Sequence, residues 1–144
     1  TADGFLTVRT KDYLKNQYSV HMYHLKEKEF PNESNLLFLC GKTDEHTADT
    51  FDRLGCNILS MCSDCSLIVM DELGPHEADA ALFRKKILNL LDGQPPILGV
   101  LQEPAESFWP KIVNHPKVEI ITISEDNRND RALLNYIQCK FSSP

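Results

Sequence analysis

Uninterrupted apolar runs punctuate the second half of the chain. Leu67-Ile68-Val69-Met70, Ile97–Leu101 and residues 118–123 each read as a strand buried on both faces. Between them the apolar positions fall at helical spacing. Phe83, Ile87, Leu90 and Leu91 make one face of a helix predicted over 78–91, with Arg84, Lys85 and Asn89 elsewhere on the wheel. Gly93 stops that helix and Pro95-Pro96 block its continuation. Leu133, Leu134, Ile137 and Phe141 define a last helix over 130–141, and a short helical piece is predicted over 107–113. The alternation of strand and helix predicts an α/β fold with a parallel sheet and helices on its faces.

The first half is patterned differently. Residues 18–25 alternate and read as a strand; 4–8 make a second, shorter one. The polar, basic stretch 9–17 between them fits a hairpin loop, and 26–35, charged and interrupted by Pro31, fits another loop. Leu36–Leu39 is a brief apolar run ended by Cys40-Gly41-Lys42. A helix is predicted over 50–61 from Phe51, Leu54, Ile58 and Leu59, with Gly55 as its weak point. No repeat, low-complexity tract or linker divides the chain, and 144 residues fit one domain.

Charge and composition narrow the function. The net charge of −6 argues against a general nucleic-acid binder, which carries a basic field. No apolar run reaches the roughly 20 residues that cross a bilayer, and no basic-then-apolar signal segment opens the chain. Five cysteines, an odd number without a secretory signal, predict reduced thiols and a cytoplasmic setting. Cys62 and Cys65 have C-x-x-C spacing, but no second tight pair completes a zinc site and the pair leads into a strand rather than a helix; ordinary thiols are the simpler reading. His21, His24, His46, His76 and His115 form no ligand-spaced set. Trp109, beside Pro110, reads as a packing anchor, and Arg84, Lys85 and Lys86 as a solvated helix face.

In an open parallel sheet, ligands bind beyond the carboxyl ends of the strands. Three polar clusters fall there: Asp71-Glu72-Leu73-Gly74, Gln102-Glu103, and residues 124–128. Four apolar residues followed by Asp-Glu have the form of a Walker B segment. A buried strand fixes the backbone, its terminal Asp orients water or ligand on Mg²⁺, and the adjacent Glu activates the attacking water. Acidic residues also cap strands simply where the chain leaves the core. A response-regulator receiver, with Asp71 as phosphoacceptor, fits less well. Too few residues separate Glu45 from Asp71, and no Lys follows Ile97–Leu101 or 118–123 at the required place.

Together these residues resemble a family of small P-loop nucleoside-triphosphatases related to nucleotide kinases, the cancer-related nucleoside-triphosphatase type. Gly4-Phe5-Leu6-Thr7 resembles its Gly-Phe-x-Thr strand, with Arg9 near the charged sequel, and Gly41-Lys42 resembles the Gly-Lys after its antiparallel insertion. The run from Leu67 through Asp71-Glu72-Leu73-Gly74-Pro75-His76-Glu77 resembles its Asp-Glu-Ile-Gly-x-Met-Glu block, with His76 in place of Met; Phe83 fits the helix phenylalanine. Residues 122–128, ending in Asn127-Arg128, resemble its closing Thr-x-x-Asn-Arg segment. The resemblance implies a mostly parallel P-loop sheet with helices on both faces and an antiparallel hairpin insertion. It also implies Mg²⁺-dependent hydrolysis of ATP or GTP, with Asp71 in the Mg²⁺ shell, through water, and Glu72 as the base. Asn127 and Arg128 would meet the nucleotide base, ribose or phosphate, and Arg9 the phosphate from the hairpin side. Local alternatives stand beside these: a capping Asn127, a surface ion pair for Arg128, a solvated loop cation for Arg9. Glu77 is expected to cap or charge the start of the following helix, with a site role as the alternative.

The departure from the family is the absence of any G-x-x-x-x-G-K-[ST]. In the family that loop lies upstream of the Gly-Phe-x-Thr strand, with the first strand and helix. The chain, opening on Thr1, is therefore expected to lack an N-terminal strand-loop-helix. A nucleotide or nucleoside kinase and a non-catalytic nucleotide-binding or interaction module remain the alternative readings.

Overall fold

A computed structural model describes residues 1–142. In chain order its elements are β1 (Ala2–Leu14), β2 (Gln17–His24), a 3₁₀ turn (Glu33–Asn35), β3 (Leu36–Leu39), α1 (Glu45–Ser60) and β4 (Leu67–Leu73). There follow α2 (Ala81–Leu91), β5 (Ile97–Leu101), two one-turn helices α3 (Ala105–Phe108) and α4 (Pro110–Val113), and α5 (Arg131–Phe141). One sheet holds the five strands in the order β3-β2-β1-β4-β5. The β1–β2 and β2–β3 pairs are antiparallel, and the β1–β4 and β4–β5 pairs parallel. The expected α/β sheet with an antiparallel hairpin is thus present, and β1 joins its two halves.

Gly4 makes that junction. It sits at φ +132°, and a Cβ there would collide with the Val69 carbonyl oxygen. Only glycine allows both the backbone angle and the approach of the two main chains. On either side of it, Asp3 pairs with Ile68 and Phe5 with Met70. Phe5, Ile68 and Met70 are buried beneath α1 and α2. Phe5 and Phe51 converge on Phe83, with ring centroids 5.7 and 6.0 Å away.

The structure departs from the pattern reading in several places. β5, expected to be buried on both faces, is last in the sheet, and Leu98, Gly99 and Val100 are exposed. Arg9 to Leu14 continue β1 instead of forming a loop, because Arg9 and Thr10 pair with Val20 and Ser19 on the neighbouring strand. α1 starts five residues before the first expected position. Asp44 caps it, accepting from the His46 N–H at 2.9 Å while Thr47 Oγ1 accepts from the Asp44 N–H. Thr47, Phe51, Gly55, Ile58 and Leu59 then make its buried stripe. Residues 118–123, expected as a strand, join no ladder, and Ile120 and Ile123 are exposed. A largely apolar cavity of about 740 Å³, lined by both this segment and β5, separates the two. Adjacent strands must lie about 4.8 Å apart to pair.

α2 has no side-chain cap of its own at Ala80; Asp52 of α1 accepts from the Phe83 N–H at 2.8 Å instead. One turn further along α1, Gly55 leaves room for the Phe83 ring, onto which a Cβ would project. Replacing a helical Gly by Ala ordinarily gains about 1 kcal/mol. Here the overpacking penalty, about 1–3 kcal/mol, opposes it and wins. Gly55→Ala is expected to lower the unfolding free energy by up to about 2 kcal/mol, read from urea midpoints at unchanged slope.

Candidate functional site

The parallel strands β1, β4 and β5 deliver their carboxyl ends to one edge of the sheet. Asp71 and Glu72 lie within β4, which runs on to Leu73, so they are part of the strand rather than following it as expected. Asp71 pairs with Leu6 and is half-buried. Burial holds its carboxyl above the usual carboxylate range. No hydrogen bond among the described residues engages that carboxylate. The register places Thr7 beside Glu72, whose N–H donates to Thr7 Oγ1 at 3.0 Å. The Glu72 side chain itself is exposed. Thr7 was visible in the sequence only as the last residue of Gly-Phe-x-Thr; its bond to the Glu72 amide is a tertiary fact.

Just past β4, Gly74 is held in place by other parts of the fold. Its N–H donates to a Glu77 carboxylate oxygen, and its carbonyl accepts from Trp109 Nε1–H at 3.0 Å. Gln102 packs against it, and the Gln102 N–H donates to the Leu73 carbonyl at 2.8 Å. The cluster after β4 and the cluster after β5 therefore meet. Glu77 does not cap α2, which starts four residues later; its carboxylate turns inward to Gly74 and is only 3% exposed. A Glu three residues after a Gly was the available signal, and it was equally compatible with a helix start. Trp109 is the packing anchor expected, with the Arg84 guanidinium 4.2 Å over its ring.

The residues predicted to meet nucleotide are less closely gathered. Arg9 lies on β1 two positions past Thr7, exposed, with its guanidinium 4.0 Å over the Tyr18 ring; Lys11 Nζ lies 4.6 Å from that ring. Asn127 orders its own turn, where Oδ1 accepts from the Ser124 N–H at 2.8 Å and Nδ2 donates to the Thr122 carbonyl at 2.9 Å. Arg128 is exposed on the same turn. Because 118–123 is outside the sheet, the ladder does not deliver Asn127 and Arg128 to the edge that carries Asp71.

The donor chemistry suits one metal better than others. Mg²⁺ keeps several waters and takes one or two carboxylates rather than an all-protein cage. Asp71, half-buried and without a hydrogen-bond partner among the described residues, fits that role. No cluster of three or more His, Cys, Asp or Glu side chains fit to hold a metal occurs among the described residues. The five thiols are free, and burial above all pushes that of Cys62 up to about 11, so it carries almost no thiolate at neutral pH. The apolar cavity beside β5 is lined by none of Arg9, Asp71, Glu72, Asn127 and Arg128.

A family model described as NTPase matches residues 7–137. The nucleoside-triphosphatase THEP1 of Methanosarcina acetivorans is 30% identical over 83 residues, 57% of this chain and 46% of that protein. The protein of the same name from Thermotoga maritima is 32% identical over 71 residues, 49% of this chain and 40% of its own length. The chain thus spans less than half the length of the curated relatives it matches. The crystal structure of THEP1 from the hyperthermophile Aquifex aeolicus shares the fold, with a TM-score of 0.68 over 99% of this chain and 84% of that one, at 15% identity.

Glu77 gives the site edge a pH dependence. Burial raises its carboxyl to about 7; the N–H donors of Gly74 and of Glu77 itself pull it back down, Glu72 adds to the rise and Arg84 opposes it. The unfolded chain would bind that proton only near 4.5. The stabilisation is therefore complete below about pH 4.5 and lost as pH rises through about 7. Glu77→Gln keeps the acceptor and removes the charge. Between pH 5 and 8 the wild type is expected to lose on the order of 1–3 kcal/mol relative to this variant, measured by denaturant titration at each pH.

Proposed function

The chain belongs to this NTPase family, and on that premise we propose that its native protein hydrolyses nucleoside triphosphates, ATP or GTP, to diphosphate and phosphate with Mg²⁺. The observation that carries the reading is the end of β4: a half-buried Asp71 with an unengaged carboxylate, followed by a Glu72 whose amide is tied to Thr7. Asp71 would hold the Mg²⁺ shell, through water. The ion would neutralise charge developing on the phosphates. Glu72 accepts a proton from the attacking water, and its exposed carboxylate, on a backbone fixed at both neighbours, suits that task. Arg128 supplies a cation for the purine face or the phosphates, and Asn127 keeps the turn that carries it. Arg9 reaches phosphate only by leaving the Tyr18 ring, a contact worth about 0.5–1 kcal/mol at an exposed site.

The reading requires a phosphate-binding loop from outside these 144 residues, which contain no G-x-x-x-x-G-K-[ST]. That same lack favours a second reading for the 144 residues alone, a nucleotide-binding or interaction module without turnover. The five free thiols support a reducing, cytoplasmic setting.

Phosphate release by the native protein, with ATP or GTP and Mg²⁺, tests the proposal. Glu72→Gln is expected to lower kcat by about 10²–10⁴-fold while nucleotide affinity changes little. Chelation of Mg²⁺ should abolish release, and Asp71→Asn should raise the Mg²⁺ concentration needed. Wild-type turnover in Glu72→Gln would overturn the assignment of the base. Binding without release would favour the module, and phosphate transfer to an added nucleoside would favour a kinase.

A further inference from the structure

Two residues past Glu72 the backbone is pinned from three directions. The Gly74 N–H donates to Glu77, its carbonyl accepts from Trp109 at 3.0 Å, and a Cβ at Gly74 would lie 2.5 Å from Gln102 Oε1. The two side chains that bond Gly74 come from different places. Glu77 belongs to the loop that leads into α2, and Trp109 stands between α3 and α4, 35 residues along the chain. Each is itself immobilised. Glu77 is 3% exposed and Trp109 1%. The indole face lies against Arg84, which is tethered in turn by donating to the Phe108 carbonyl at 2.8 Å.

A carboxylate so deeply buried is costly unless a specific geometry is gained from it. Here it holds one amide at the tip of the strand that bears Asp71 and Glu72. On the other side of Glu72, its own amide is held by Thr7. The backbone of Glu72 is thus held at its own amide and two residues beyond, while its side chain stays free in solvent. Such a backbone supplies the pre-organisation that a proton acceptor needs.

We infer that Glu77 and Trp109 are positioning residues: by bonding Gly74 from its two sides they hold the end of β4 and aim Glu72. The inference rests on the reading of Glu72 as the group that activates water. Glu77 and Trp109 touch neither water nor nucleotide in this role. They act through Gly74.

Two independent readouts on the native protein test it, amide hydrogen exchange at Gly74 and Glu72, and the separate effects on kcat and nucleotide Kd. Glu77→Ala removes the acceptor. It is expected to speed exchange at both amides about tenfold or more, and to lower kcat by about 10–100-fold with Kd within about threefold. Glu77→Gln restores an acceptor, so it should recover protection and bring kcat to within about threefold of wild type. Trp109→Phe keeps the ring and loses the N–H; a kcat loss of about 3–10-fold is expected. It carries the test if Glu77→Ala does not fold. Unchanged exchange in Glu77→Ala, or a Gln variant no better than Ala, overturns the inference. So does a fall in thermal stability with unchanged kcat well below the transition. If wild-type protein releases no phosphate, the catalytic reading fails by itself. The exchange arm then decides alone, faster Glu72 exchange upholding the clamp and unchanged exchange removing it.

Discussion

The sheet depends on the approach of β1 to β4 at Gly4. Along the sheet, that pairing alone joins the antiparallel β1-β2-β3 half to the β4-β5 half. It brings together residues more than 60 positions apart, so loop closure opposes it and burial of Phe5, Ile68 and Met70 must outweigh that opposition. Any side chain at position 4 would push the Val69 carbonyl away and open the ladder where the aromatic cluster begins. The same register that buries Phe5 beside Met70 sets Thr7 beside Glu72. The geometry of the site edge is thus inherited from a packing constraint three residues away on each strand.

Around that edge, polar groups divide into those that hold and those that are left free. Thr7, Glu77, Trp109 and Gln102 spend their hydrogen-bonding or packing capacity on the backbone from Glu72 to Gly74. Asp71 and Glu72 keep their carboxylates uncommitted among the described residues. Desolvation acts on both Asp71 and Glu77, raising each, but with different consequences. On Glu77 it tunes a structural contact. On Asp71 it raises the carboxyl of a side chain that no other described residue engages.

Much of this was legible in the chain. The apolar runs at 67–70 and 97–101 announce β4 and β5, but not their burial: β4 buries Ile68, Met70 and Leu73, while β5, last in the sheet, leaves Leu98, Gly99 and Val100 exposed. The Gly-Phe-x-Thr and Asp-Glu signals were each legible, but that they fall on adjacent strands was not. The extent of β1 beyond Val8 was not legible, since its outer residues are charged and owe their conformation to pairing with β2. The fate of 118–123 was not legible either: apolar content marks a segment fit for a strand, but pairing depends on a neighbouring edge within reach. Glu77 shows the same limit for a single residue. Sequence offers a carboxylate near a helix start, and only tertiary structure turns it inward.

Asp52 bears on the order in which the molecule assembles. The first turn of α2 takes its cap from α1, 31 residues upstream, and has none from Ala80 beside it. Eleven residues make a marginal helix in water, since nucleation is unfavourable and each further bond adds little. α1 carries its own capping box and sixteen residues, so it can form early without help. α2 becomes complete only once α1 stands beside it, with Asp52 on the Phe83 amide and Gly55 under the Phe83 ring. The pair would then enter the folding nucleus as one unit, and β4, strung between them, would be drawn onto β1 as a consequence of helix docking.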